Sequence, residues 1–280
     1  MISKLAPAKV NLHLRVLGKR RDGFHDISTL VQRISLYDEL IFTRTDHGIR
    51  LSCPGSAIPE NNSNIVYRAA DALLSPLSHP PGIHITIRKM IPVGAGLGGG
   101  SSNAATALLT LNELMDLHYK TDDLMKIGAK LGADVPFFIF GKTAWASGIG
   151  DRLRTAENIP PLWFVLINPG FEISTKVVYE SLNLRLTKRV VNYKCPVLCT
   201  VDEIVKGLHN DLERVTLVLH PILRYFKNIL VQNGALGALM SGSGPTVMGI
   251  FTDEEGAIAA KKALENVGGS EWSVFAVHSI

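Results

Sequence analysis

Residues 8–16 (AKVNLHLRV) alternate apolar and polar side chains, and this period of two predicts a strand with Val10, Leu12, Leu14 and Val16 on one face. Lys9, Asn11, His13 and Arg15 then share the opposite, polar face. Short runs at 40–43 (LIFT) and 49–52 (IRLS) predict two further strands. Residues 64–74 (NIVYRAADALL) predict a helix, because Ile65, Ala69, Ala72 and Leu73 recur at helical spacing. Residues 83–87 alternate again and lead into PVGAGLGGGSSNAA at 92–105. Beyond it Ala104, Leu108, Leu111 and Met115 recur at three and four, so a helix follows, with Ser101 or Ser102 as its cap. Residues 122–131 predict a short helix closed by Gly132.

Pro160-Pro161 is the best domain boundary the chain offers, giving domains at 1–159 and 160–280. A strand is expected at 162–167, followed by a turn at Asn168-Pro169-Gly170. Helical stretches are expected at 202–218 and 222–232. A second glycine-rich segment, MSGSGPTVM at 240–248, enters a strand ending at Phe251; a helix at 254–267 and a strand at 273–277 close the chain. Strands and helices mixed in this way indicate an α+β fold.

At 280 residues and 46% hydrophobic content the chain has ample material for a core, in one large domain or two smaller ones. Its net charge of +4 suits an anionic small molecule as well as nucleic acid and separates neither. No apolar run reaches the ~18 residues of a membrane span, and the first residues do not read as a signal peptide. Cys53, Cys195 and Cys199 are too few and too irregular for a disulfide framework, and Cys195 and Cys199 have no second pair of soft ligands for zinc. A reducing cytoplasm is the expected location.

The first glycine segment carries the strongest chemical signal. Five glycines lie between Gly94 and Gly100, followed by two serines and a helical pattern. Glycine takes φ > 0 and lets a ligand approach the backbone, and a helix N-terminus presents unpaired amides and a positive dipole end. Such a loop is an anion site, with phosphate its usual occupant. It is not a P-loop, because no lysine follows the glycines. Gly94, Gly96 and Gly99 match GxGxxG literally. However, the dinucleotide fingerprint needs an acidic residue ~20 positions on at the end of a second strand, and residues 114–117 still belong to a helical pattern. A flexible linker fits poorly between a strand and an amphipathic helix.

Phosphoryl transfer also needs a carboxylate to receive the hydroxyl proton and a cation to balance charge. Asp134, in GADVPFF, is a carboxylate among apolar neighbours, although an N-cap or turn role before Pro136 explains it equally well. Lys9 is the matching cation; by spacing alone it reads as a solvated strand lysine.

The strand PAKVNL (7–12), the first glycine segment and SGSGPTV (241–247), in that order, resemble the three motifs of the GHMP kinase superfamily. DGFH (22–25), LGADVPFF (131–138) and NDLE (210–213) are similar to the branch that phosphorylates the 2-hydroxyl of a diphosphocytidyl-linked methylerythritol in the non-mevalonate isoprenoid pathway. The resemblance runs over nearly the whole chain. It implies a two-domain α+β architecture, with an N-terminal ribosomal-protein-like, ATP-binding domain, a C-terminal ferredoxin-like domain and the active site between them. Lys9 and Asp134 would be the catalytic pair, with Asp134 kept anionic by its cationic partner. Pro92, Val93, Gly94, Ala95, Gly96, Leu97, Gly98, Gly99, Gly100, Ser101 and Ser102 would wrap the ATP phosphates, Ser101 or Ser102 standing near Mg²⁺. Asn11 and His25 would contact the diphosphocytidyl substrate, with His25 on the cytosine edge. Phe24 would stack on the base, Tyr179 would form its second face, and Thr175 would lie nearby. Where relatives can carry Tyr, Phe24 keeps the ring and loses the hydroxyl. Asn64 and Lys89 are positional candidates for adenine. His13, His84, His118 and His220 are assigned no role. A small-molecule substrate, no nucleic-acid or membrane partner, and a monomer or weak homodimer are expected. The competing readings are a kinase for another alcohol, such as homoserine or mevalonate, and a non-catalytic RNA-binding protein on the same fold. Lys19-Arg20-Arg21 is too small a basic cluster for the latter.

Overall fold

The computed structural model describes residues 1–182, 184, 193–268 and 272–280. Its elements, in chain order, are β1 (Ile2–Lys19), β2 (His25–Thr45), β3 (Ile49–Ser52), α1 (Ile65–Leu74), β4 (Gly82–Arg88), α2 (Gly99–Leu114), α3 (Thr121–Leu131), α4 (Val135–Phe140), β5 (Ala144–Gly148), β6 (Arg152–Thr155) and β7 (Trp163–Asn168). There follow α5 (Thr175–Ser181), α6 (Val201–Gly207), β8 (His209–Asn210), α7 (Glu213–Leu219), α8 (Ile222–Gln232), β9 (Gly237–Met240), β10 (Val247–Phe251), α9 (Glu254–Gly268) and β11 (Ser273–His278).

The chain forms two compact units that interleave along the sequence. The first comprises Met1–Ala8, Leu36–Ile91 and Gly98–Gly141; the second comprises Lys9–Ser35, Pro92–Leu97 and Lys142–Ile280. In the first unit the C-terminal half of β2 pairs antiparallel with β4, from Glu39↔Arg88 to Thr45↔Gly82, and β3 runs parallel to β4. Alternate residues of these strands, Leu40, Phe42, Ile83, Ile85 and Ile87, are buried. Helices α1, α2, α3 and α4 pack on one another, burying Val66, Leu73, Leu108, Leu111 and Phe137. Burial of side chains of this size stabilises by roughly 1.5–3 kcal/mol each.

In the second unit β5 pairs antiparallel with the N-terminal half of β2, β6 pairs with β5, and β8 joins β1 in parallel through His13↔His209 and Leu14↔Asn210. A separate four-stranded antiparallel sheet has the order β11-β7-β10-β9. Taken in chain order its strands are first, second, third and fourth in a 4-1-3-2 arrangement, the ferredoxin-like order. Helices α8 and α9 cover this sheet, with Phe226, Leu230, Ala260 and Leu264 closing a core against Val165, Ile167 and Val247. The mixed α+β fold expected from the patterning is present in both units.

Several local expectations are corrected. Gly98, not a serine, occupies the N-cap of α2 in the left-handed region (φ 69°), with no side-chain capping bond. Gly132 follows α3 in an extended conformation (φ −176°) that any residue adopts, so its backbone does not demand glycine. The helical stretch expected at 202–218 breaks at β8, because Asp211 Oδ2 accepts from Val16 N (2.8 Å) and Asp211 N donates to Leu14 O (3.0 Å), holding the segment to β1. The apolar run at 135–140, which has no polar alternation, is a short helix with Pro136 in its first turn.

Candidate active site

The polar face of β1 is buried. Lys9, Asn11 and His13 are each 4% exposed, so the solvated-lysine reading of Lys9 does not hold. A lysine taken from water needs partners, and Lys9 Nζ donates to Asn11 Oδ1 at 2.5 Å. Asn11 Nδ2 donates to Thr29 Oγ1 (2.8 Å), and Thr29 Oγ1 donates to the His13 carbonyl (2.6 Å).

The N-terminal part of the glycine segment lies in this same unit. Ala95, Gly96 and Leu97 turn their carbonyls onto protein donors: Thr246 N at 3.3 Å, Ser241 Oγ at 3.0 Å and Lys9 N at 3.0 Å. Carbonyls engaged in this way are withdrawn from any incoming anion, leaving the amide side of the loop for it. The loop is left-handed at alternate positions, Gly94, Gly96 and Gly98 (φ 62°, 75° and 69°). At Gly96 a Cβ would lie 2.2 Å from the Ser241 carbonyl, so glycine there is fixed by both conformation and space. Gly242, also left-handed, lies where a Cβ would approach Lys9 Nζ at 3.3 Å and Asn11 Oδ1 at 3.4 Å.

NDLE secures this arrangement. Asn210 Nδ2 donates to the carbonyls of Met240 (2.8 Å) and Gly242 (2.7 Å), while its Oδ1 accepts from Leu212 N (2.9 Å). Glu213 Oε1 accepts from Met240 N (2.7 Å), and Lys227 Nζ donates to both carboxylate oxygens of Glu213.

The DGFH segment forms the hairpin turn between β1 and β2, with Gly23 left-handed (φ 87°). Asp22 Oδ1 accepts from Phe24 N (3.1 Å), and Arg20 bonds the carboxylates of Asp22 and Asp26. Phe24 remains 56% exposed, a large ring held in solvent by a tied-down turn. His25 is buried, its ring centroid 4.9 Å from that of Tyr179. Burial, and secondarily the Lys19 charge, hold its pKa below 6.5, so the imidazole is neutral at pH 7 and has one donor and one acceptor nitrogen. Thr175 Oγ1 lies 2.8 Å from Ser243 Oγ, joining the first turn of α5 to the second glycine segment.

The first unit holds the start of α2 and Asp134. Helix geometry gives the amides of Gly99, Gly100 and Ser101 no acceptor within α2, while Ser102 N donates to Gly98 O (2.9 Å). Among the described residues a Cβ at Gly100 would meet only Ile65 Cγ2, at 3.8 Å, and Gly100 is exposed. Ser102 Oγ and Asn103 Oδ1 are buried with no hydrogen-bond partner among the described residues. The segment before Asp134 lies against this turn, since a Cβ on Gly132 would be 3.6 Å from Ser101 Oγ. Asp134 is half-buried at the N-cap position of α4, yet its side chain makes no capping hydrogen bond. The capping explanation for Asp134 therefore fails.

The two adenine candidates have local partners. Asn64 caps α1 through Oδ1, which accepts from Val66 N (2.9 Å), and its Nδ2 donates to Pro59 O (2.7 Å). Lys89 pairs with the fully buried Asp38, whose other oxygen accepts from Met90 N and Ile91 N. Sequence reading missed Thr29, Ser241 and the bracing role of NDLE. For Thr29 the only available signal was its place on the same face of β2 as His25, four residues on. Cys53, Cys195 and Cys199 are free thiols, and the described residues include no cluster of three or more His, Cys, Asp or Glu fit to hold a metal. No helix among the described residues is long and apolar enough to cross a membrane.

The chain is similar to known proteins. The family model for the GHMP kinases N terminal domain matches residues 64–142, and that for the GHMP kinases C terminal matches 200–269. The chain is 58% identical over 280 residues to a 4-diphosphocytidyl-2-C-methyl-D-erythritol kinase of Syntrophus aciditrophicus (strain SB), with all of both chains covered. It is 49% identical to the protein of the same name from Syntrophotalea carbinolica (strain DSM 2380 / NBRC 103641 / GraBd1), covering 100% of this chain and 99% of the relative. Among solved structures it resembles a 4-(cytidine 5'-diphospho)-2C-methyl-D-erythritol kinase with TM-score 0.84 and 34% identity over 99% of both chains. A homoserine kinase from Cytophaga hutchinsonii ATCC 33406 shares the fold, with TM-score 0.75 and 21% identity over 100% of this chain and 94% of that one.

Proposed function

The chain belongs to the GHMP kinases and, within them, to the 4-diphosphocytidyl-2-C-methyl-D-erythritol kinases, and from that membership we propose how its residues divide the reaction. It transfers a phosphoryl group from ATP to the 2-hydroxyl of the diphosphocytidyl-linked methylerythritol, a step of the non-mevalonate isoprenoid pathway. The observation that carries this reading is the full-length 58% identity, together with the intact PVGAGLGGGSSNAA and DGFH segments.

Asp134 receives the proton of the attacking hydroxyl, and Lys9 balances charge during transfer. The burial of Lys9 and its bond to Asn11 support the placement of the cation. Residues 92–102 bind the ATP phosphates through loop amides and the α2 dipole. Mg²⁺ fits the hydroxyls of Ser101 and Ser102. Ser102 Oγ, buried with no hydrogen-bond partner among the described residues, supports an ion held by few protein oxygens and by phosphate. When bound, the ion neutralises charge on the phosphates. His25 reads the cytosine edge as a neutral imidazole, Phe24 and Tyr179 face the base, and Asn11 and Thr175 contact the remainder of the substrate. The functional domains are 1–159, which binds ATP, and 160–280; the boundary at Pro160-Pro161 lies between the two matched family segments. The enzyme works in the cytoplasm as a monomer or weak homodimer, without a nucleic-acid or membrane partner.

The test is ATP turnover with Mg²⁺ on three alcohols: the diphosphocytidyl compound, homoserine and mevalonate. Turnover of the first alone is expected. Turnover of another, or of none by protein that still binds ATP, overturns the reading. In the same assay His25→Ala is expected to raise the KM for the cytidyl substrate and leave that for ATP unchanged.

A further inference from the structure

We propose that Thr29 is a positioning residue for phosphoryl transfer: its hydroxyl fixes which end of the Asn11 amide faces Lys9, and thereby where the Lys9 ammonium is held. This inference rests on the kinase reading above. A threonine hydroxyl carries one hydrogen. Thr29 donates it to the His13 carbonyl at 2.6 Å, which leaves only lone pairs facing Asn11 at 2.8 Å. Only the NH₂ end of the Asn11 amide can meet a lone pair, so Oδ1 is forced to the other side, where it accepts from Lys9 Nζ at 2.5 Å. A reversed amide would set two donors, NH₂ and NH₃⁺, against each other.

The chain of bonds is buried. Lys9, Asn11 and His13 are 4% exposed and Thr29 is 3% exposed, so water does not readily replace a missing link. The order of control runs from the backbone of β1 at His13, through Thr29 on β2, back to Asn11 and Lys9 on β1. The Asn11 backbone amide also donates to Ser241 Oγ (3.4 Å), which itself donates to Gly96 O, so the same asparagine is tied to the phosphate loop. Thr29 does not reach the reacting atoms itself; it acts through Asn11.

Thr29→Val keeps the shape and deletes the hydroxyl, whereas Thr29→Ser keeps the hydroxyl and drops a methyl. Steady-state turnover of the diphosphocytidyl substrate by the full chain should show kcat about 10-fold lower in Thr29→Val, with the KM for ATP within about 2-fold. Thr29→Ser should stay within about 3-fold of wild type. Made in an Asn11→Ala background, Thr29→Val should add less than about 2-fold, because its route to Lys9 is already gone. The inference is overturned by wild-type kcat in Thr29→Val, by an equal loss in Thr29→Ser, or by the same loss with and without Asn11. Where Thr29→Val does not fold, Thr29→Ala in both backgrounds reads the same coupling. Wild-type protein without turnover would instead fail the kinase reading, so the two failures are distinguishable.

Discussion

The chain has two glycine-rich segments, and they do different work. Residues 241–250 are buried throughout, whereas in 92–101 burial alternates and Val93, Gly94 and Gly100 are exposed. The second segment is held by Asn210 and Glu213, which take up its carbonyls and an amide. The first has its carbonyls engaged at 95–97 and its surface open at Gly100. Glycine content alone does not separate them. The lesson is that a ligand loop is recognised by the backbone groups it leaves open, and a brace by those the protein takes up.

The comparison can be broken most widely by removing the chemistry that the open loop serves. Asp134→Asn should lower kcat by ~10²–10⁴-fold, the range of a lost general base, and a near-wild-type kcat would remove Asp134 from the reaction. Next comes Gly96, the point where the two segments meet. Gly96→Ala combines a left-handed φ of 75° with a Cβ 2.2 Å from the Ser241 carbonyl, and should cost about 3 kcal/mol in chemical denaturation. Asn210→Ala attacks the brace alone. It leaves two buried carbonyls and the Leu212 amide without their partner and should destabilise by roughly 2 kcal/mol, while ATP still binds the folded fraction with its usual KM. Gly100→Ala attacks the open loop alone. Among the described residues its added methyl meets nothing closer than 3.8 Å, so stability should hold or rise by up to ~1 kcal/mol through helix propensity, and only the KM for ATP should increase. If Gly100→Ala unfolds the protein, or Gly96→Ala does not, the division between loop and brace is wrong.

The smallest expected effect is on pH dependence and concerns the brace. His13 pairs with β8, the strand carrying Asn210, and lies with one ring nitrogen 2.8 Å from Gly207 O and the other 2.9 Å from Tyr193 Oη. Burial chiefly pushes its pKa below 6.5 and outweighs the hydrogen bond to Gly207 O, which acts the other way. His25 is lowered as well. A lowered histidine binds fewer protons folded than unfolded, so stability rises with pH across the titration. It should be complete above about pH 6.5, the unfolded value, and fall as pH drops through the folded values. His13→Asn should flatten part of this slope in denaturation midpoints measured from pH 7.5 to 5, leaving the His25 share; an unchanged slope would refute the His13 contribution.

Much of the fold was legible in the patterning. Periodicity placed α1 and β4 within a residue, because apolar side chains recur on their buried faces, and the short run at 49–52 and the stretch at 222–232 matched β3 and α8. The reading failed where that pattern is absent. The α4 run is apolar all round, and β8 owes its strand conformation to bonds with β1 from distant Asp211 rather than to its own two residues. Pairing with distant chain likewise extends β1 and β2 well beyond their alternating cores. At the site, Lys9, Asp134 and the glycine segment were found by residue type and motif. Their surroundings were not: Lys9 looked solvated, Ser101 and Ser102 looked like caps, and Thr29 gave no sign of importance.

By itself, then, the sequence determined the family motifs, the anion-binding character of the first glycine segment and the α+β mixture, since each follows from local residue chemistry and period. Only the tertiary structure decided that the polar face of β1 is buried, that Thr29 orients Asn11, and that NDLE braces SGSGPTV. Those facts depend on which donors and acceptors meet across 16 or more residues of chain, and on the removal of water around them. Burial turns an ordinary lysine or amide into one whose partners are obligatory, and no single stretch of sequence specifies what will be buried against it.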